Sequence, residues 1–189
     1  MADLGLLSLV IAFVVALFGI AANLIGAHQK RPALVVAGRN ALYVVSGFVA
    51  LASIILIISL QRRDYSLAYV ANVVSNDQSV FFNLAAFWGG QAGSLLFWTL
   101  ILSGYATAVT IGQWKHQPIL RPYVTAVLLA VQLFFLTVLL FAANAFNRLW
   151  LMPNGSTLSA TFAPAGAVPA MITDGSGLNP LLQNYWMVI

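Results

Sequence analysis

The sequence predicts an all-α polytopic membrane protein: four transmembrane helices, an outward-facing motif of tryptophans and glycines, and an irregular C-terminal tail. Three observations carry that expectation. Of the 189 residues, 61% are hydrophobic and 6% are charged, whereas a soluble domain carries roughly 25% charged residues. So few charges cannot cover a surface in water, and most of the chain must have lipid as its solvent. The apolar residues also fall into four runs, each close to the ~20 residues that a helix needs to cross a bilayer. Finally, lipid offers no hydrogen bonds, so a spanning run must satisfy its own backbone, and a helix does so within one segment.

The first span covers about residues 4–27 and is apolar or small apart from Ser8 and Asn23. It lacks the basic start of a signal peptide and is long for one, so it is read as an uncleaved span. His28-Gln29-Lys30-Arg31-Pro32 follows as a short basic loop, with Pro32 ending any continuing helix. The second span covers about 36–60. Its Ile54–Ile58 core is rich in β-branched residues, but length favours a helix. Residues 61–94 are an outward loop and the motif, with Gln61 to Gln78 as the polar segment. Within it, Tyr65 to Tyr69 alternates in polarity and fits either an extended stretch or a short surface helix. The third span covers about 95–112, and a second basic loop from Gln113 to Pro122 contains Lys115, His116 and Arg121. The fourth span covers about 123–143, with Gln132 in the middle as an amide expected to face another helix. These four spans make up a transmembrane region, residues 1–143. Residues 144–189 are punctuated by prolines and glycines and read as an extra-membrane tail with turns.

The chain is organised around the stretch from Asn83 to Trp98. Here Trp88 and Trp98 bracket Gly89, Gly90, Gln91, Gly93 and Ser94. Glycine permits both close backbone approach and positive φ, so the pair beside an indole suggests a turn against which something packs. Ser94 stands where an N-cap would satisfy the first free N–H groups of the next helix. If helical geometry ran back through the glycines, Trp88, Gln91, Leu95 and Trp98 would share one face. That face would make a wall for a flat apolar ligand. The plainer alternative is a tryptophan belt at a membrane surface followed by a loop turn.

Charge sets the expected orientation. Lys30, Arg31, Arg39, Lys115 and Arg121 lie on one side with no acid; Arg62, Arg63 and Arg148 lie on the other beside Asp3, Asp64, Asp77 and Asp174. The excess of Lys and Arg puts the two short loops in the cytoplasm and both termini outside. Cations in short inter-span loops are topology signals and do not imply nucleic acid. The chain has no cysteine, which excludes disulfides, thiolate metal sites and haem attachment through its own C-x-x-C-H run. His28 and His116 are imidazoles of the kind that ligate haem iron. One histidine on each of two loops closes no site, and both read as interfacial residues. The four aspartates are dispersed, and no hydroxyl has a base beside it, so no catalytic constellation is visible.

Three runs resemble the N-terminal portion of the CcmF/NrfE family of cytochrome c-type biogenesis (haem lyase) membrane proteins. Trp88 to Trp98 is similar to the family's W-G-G-Q-E-G-S-L-L-L-W motif, Asp64 to Ala71 to the segment before it, and Gly177 to Ile189 to its G-x-x-L-N-P-L-L-Q-D run. The order and spacing match too. Ala92 stands where the family usually has Glu, so any role of that carboxylate is lost. The family continues with a His-Pro-Pro run and further helices that supply its haem-ligating histidines, and those lie beyond this chain. The resemblance implies an N-terminal portion, either a split subunit or a truncation, whose partner is the remainder of the family's chain. It implies a haem-handling component of the bacterial inner membrane that helps to present haem to apocytochrome c on the outer side, together with a haem carrier protein. Trp88, Gly89, Gly90, Gln91, Gly93, Ser94 and Trp98 would contact haem, with the iron ligands elsewhere. A structural four-helix subunit of a transporter or respiratory complex fits composition and topology equally well.

Overall fold

The computed structural model of the protein describes residues 1–113 and 118–183. Four residues of the second basic loop, 114–117, which include Lys115 and His116, lie outside the described residues, as does the apolar stretch 185–189. The helices are α1 (Ala2–His28), α2 (Pro32–Gln61), α3 (Ala68–Val73), α4 (Val80–Gly89), α5 (Gln91–Gln113) and α6 (Arg121–Phe141). Four of these, α1, α2, α5 and α6, are long and apolar enough to cross a membrane. Exposed Leu17, Phe18, Val127, Phe134 and Phe141 on them are suited to lipid and not to water. Pro32 does more than stop α1. It opens α2 at a position where a missing N–H costs nothing.

The chain divides into two units. The first comprises Met1–Leu6, Ser53–Phe97 and Ala143–Ile189; the second comprises Leu7–Ala52 and Trp98–Ala142. The second unit packs through small residues, as helices in lipid must when no hydrophobic force draws them together. A Cβ on Gly19 would lie 2.7 Å from Leu129 Cδ1 and 2.9 Å from Ala41 Cβ. The Ser46 hydroxyl lies 3.3 Å from the Ser103 carbonyl and accepts a bond from the Thr107 hydroxyl at 3.0 Å, which ties α2 to α5. Gln132 is buried as expected, but neither of its polar atoms has a hydrogen-bond partner among the described residues.

In the first unit, the tail is not irregular. It forms an antiparallel sheet in the order β2-β1-β3, with β1 Arg148–Leu151, β2 Thr157–Ala160 and β3 Val168–Pro169. Pro153-Asn154-Gly155 turns β1 into β2. Gly155 has φ +81°, and the Asn154 side chain accepts bonds from both the backbone N–H and the hydroxyl of Ser156. Strands of four, four and two residues are too short for a hydrophobicity period to announce them. The sheet joins the polar segment before α3: Leu67 bridges Arg148, and Leu149 N–H donates to the Ser66 carbonyl at 3.1 Å. Tyr65 and Ser66 form a turn closed by the Leu67 N–H on the Asp64 carbonyl, only Leu67 is extended, and the helix begins at Ala68.

Candidate functional site

The Trp-Gly stretch is a break between two helices. α4 ends at Gly89, and Gly90 has φ −123° and ψ 163°, an extended conformation open to any residue. Gln91 then opens α5. Three expectations are corrected here. Neither Gly89 nor Gly90 needs positive φ. Ser94 is not an N-cap, because it sits in the first turn of α5 and its hydroxyl donates to the Trp88 carbonyl at 2.5 Å. Nor does one helical face carry Trp88 together with Gln91, Leu95 and Trp98, since the break at Gly90 separates Trp88 from the rest.

The glycines serve close approach, and the chain itself is what approaches. The Tyr69 hydroxyl donates to the Ala86 carbonyl at 2.7 Å and accepts from the Gly90 N–H at 3.2 Å, so one phenol joins the end of α4 to the helix break. A Cβ on Gly90 would meet the Tyr69 ring at 2.9 Å. On Gly93 it would fall inside both the Tyr69 hydroxyl and the Phe87 carbonyl, at 2.1 and 2.2 Å. Tyr69 is 8% exposed. Burial pushes its hydroxyl up to about 12, outweighing the Gly90 and Gly93 N–H groups that favour the ionised form. On Gly89, a Cβ would lie 2.6 Å from Leu178 Cδ1.

Leu178 comes from the tail, and several bonds hold it. Its N–H donates to the buried Gln78 side-chain oxygen at 2.9 Å, and its carbonyl accepts from the Gln183 amide at 2.6 Å. Gly177, at φ +78°, makes the turn into it. Upstream, Ser176 N–H donates to the Ala71 carbonyl, and Asp174 accepts from Asn76 N–H, each at 2.8 Å. The segments around residues 64–71, 88–97 and 174–183 thus meet at one turn, although the last lies about eighty residues beyond the second.

What the turn leaves open is specific. The Trp88 ring is 37% exposed and packs on Phe97 at 5.9 Å. Gln91 is exposed at the start of α5. Trp98, 57% exposed, belongs to the second unit. The Ser94 hydroxyl spends its proton internally. Tyr69, Gln78 and Leu178 are the residues that sequence reasoning missed as parts of the site. Tyr69 and Leu178 lie in the runs noted above, whereas nothing local marks Gln78. Among the described residues, no group of three or more His, Cys, Asp or Glu is placed to hold a metal. His28 is exposed at the end of α1, and His116 lies outside the described residues. The turn therefore leaves an indole and an amide exposed beside a buried phenol.

No family model matches the chain. Curated relatives do. The cytochrome c-type biogenesis protein CcmF of Pseudomonas aeruginosa is 30% identical over 187 residues, covering 99% of this chain and 26% of that protein. CcmF of Escherichia coli is 31% identical over 72% of the chain and 18% of that protein. The NrfE protein of Haemophilus influenzae is 28% identical over 98% of the chain and 26% of that protein. Among solved structures, a cytochrome c haem lyase CcmF matches with a TM-score of 0.70 and 26% identity, over 77% of this chain and 24% of that one. The chain thus spans about a quarter of the length of these relatives. With matching sequence, matching fold and its three resembling runs gathered at one turn, the chain belongs to the CcmF/NrfE family of cytochrome c-type biogenesis proteins.

Proposed function

We propose that this chain is a haem-handling membrane component of cytochrome c maturation. The turn from Trp88 to Ser94 helps to present haem to apocytochrome c on the outer side of the bacterial cytoplasmic membrane. The observation that carries this reading is the convergence of the three family-like runs, far apart in sequence, on a turn that keeps an indole and an amide exposed. Trp88 and Gln91 face the porphyrin, the first by stacking or edge contact and the second by hydrogen bonding, with Trp98 as a further aromatic contact. Gly89, Gly90, Gly93 and Ser94 shape the turn from inside. Haem supplies the vinyl groups that become thioethers; the protein's part is to position them and limit water. The iron ligands come from the remainder of the family's protein or from a split partner, and a haem carrier protein and the apocytochrome machinery are further partners.

The test is cytochrome c maturation in cells that contain the rest of the system, with membrane levels of each variant measured alongside. Trp88→Ala and Gln91→Ala are expected to lower maturation at normal protein level, while Ser159→Ala leaves it unchanged. Full maturation with both variants would reject the turn as a haem surface. Orientation has its own check. A cysteine at Ser156 should react with an impermeant thiol reagent in intact cells, and one at Gln29 should not. The reverse pattern rejects the outward placement.

A further inference from the structure

In the first unit, α4 is a ten-residue helix without a charged side chain, and both of its ends are tied to the ends of membrane spans. At its start, Gln61, the last residue of α2, donates through its amide to the Val80 carbonyl at 3.2 Å. Arg63 donates to the Gln78 carbonyl at 2.9 Å, just ahead of the helix. At its other end, Gly90 alone separates α4 from α5. α2 ends and α5 begins on one side of the bilayer, because α3 and α4 between them are each too short to cross it. A helix about 15 Å long, held at one depth at both ends, lies along the membrane surface. Its sides differ in what covers them. The Ala86 carbonyl takes the Tyr69 hydroxyl, and Gly89 packs against Leu178. Val80, Leu84 and Trp88, four residues apart, share a stripe turned away from those contacts, and Val80 is 70% exposed. Water facing such a stripe calls for polar residues. An interfacial helix that lies alone needs a charged face toward water; here Tyr69 and the tail segment at Leu178 close that side instead.

We propose that α4 lies in the plane of the membrane interface and that lipid covers its exposed stripe. Val80 and Leu84 sit among the upper parts of the acyl chains, and the Trp88 indole lies at headgroup level, where tryptophan is favoured. The bilayer crossed by α2 and α5 supplies this partner directly, since both ends of α4 are continuous with or bonded to those spans. The helix break at Gly90 is then the corner at which the chain leaves the surface and enters the membrane. This placement does not depend on a haem contact at Trp88.

The chain has no cysteine, so a single introduced thiol reports on one place. The test uses the full chain in vesicles of phosphatidylethanolamine and phosphatidylglycerol, with a nitroxide attached at Val80→Cys or Leu84→Cys. Electron paramagnetic resonance then reads collisions with oxygen, which concentrates in lipid, and with a water-soluble nickel chelate present on both sides. Val127→Cys, on the exposed apolar surface of α6, gives the lipid reference, and Asn72→Cys, exposed on α3, gives the water reference. The oxygen-to-nickel ratio at positions 80 and 84 is expected to approach that at 127 and to exceed that at 72 several-fold. Both changes replace exposed side chains one helical turn apart, so unchanged helicity is expected in each and either alone can give the reading. A ratio at both positions like that of Asn72→Cys would mean that water covers the stripe and would overturn the proposal. Few collisions with either reagent would mean that protein covers it, another part of this chain or a second copy, and would overturn it too.

Discussion

Tyr69 holds both sides of the helix break through one hydroxyl. Its hydroxyl is buried, donates to Ala86 and accepts from Gly90. Tyr69→Phe leaves that carbonyl and that N–H without their partner, a cost of about 1–3 kcal/mol when such groups stay buried. Thermal unfolding of the detergent-solubilised protein should show that loss. The same phenol gives a pH dependence whose sign follows from its raised pKa. In the folded protein it stays neutral up to about 12, whereas in the unfolded chain it ionises from about 10. Its contribution is therefore intact below pH 10 and is lost as the pH rises toward 12. Tyr69→Phe should flatten the stability decline across that window relative to the parent. An equally steep decline in both would show that other groups dominate it. Gly93 sets a complementary limit: even a methyl group there would overlap the Tyr69 hydroxyl and the Phe87 carbonyl. Gly93→Ala is expected to deplete the protein from membranes, where Trp88→Ala depletes only maturation.

At the scale of elements, the long helices and the short ones owe their legibility to different physics. The four spans are visible because lipid imposes both length and composition on them. Their ends are less so: α2 begins at Pro32, a residue the sequence reads as part of the loop, and α5 begins at Gln91, where Gln91 and Ser94 belong to a helix that apolarity alone does not register. α4 and the sheet are held by partners distant in sequence. Trp150 shows why β1 escaped notice. It is 7% exposed, and its indole N–H donates to the Ala160 carbonyl, a relation no local pattern encodes. The site divides in the same way. Trp88 and the glycines stood out by residue type, but the glycines' purpose required Tyr69 and Leu178, which lie outside the motif. In the second unit, Ser46 and Thr107 connect α2 to α5 through hydroxyls that have little competition from water. Thr107→Val removes that donor at nearly constant shape. Its expected cost is about 0.6 kcal/mol, typical of side-chain bonds between helices in a membrane, and a shift above about 1.7 kcal/mol would exceed the range seen for such bonds.

At the scale of the whole chain, the first unit is assembled from three separate stretches, and its site exists only when they meet. Energetic coupling should therefore follow the turn and not sequence distance. Tyr69 and Leu178 lie more than a hundred residues apart, yet both pack on the same short glycine run. Residues that share partners typically couple by 0.5–3 kcal/mol, while independent sites add to within about 0.5 kcal/mol. A double-mutant cycle of Tyr69→Phe with Leu178→Ala should show the larger coupling, because loss of either side chain lets Gly89 and Gly90 relax around the other. Tyr69→Phe with Ser46→Ala should be additive, since Ser46 bonds to Leu42, Ser103 and Thr107 and has no part in the turn. Both cycles can be read from unfolding in mixed micelles, with maturation scored in parallel. If Tyr69 and Leu178 prove additive, the tail merely lies over the motif and the three runs do not form one site. If they couple in stability and the paired variant also loses maturation more than the two single effects combined, then the shape of this turn, beyond the exposed indole, carries the haem-handling role.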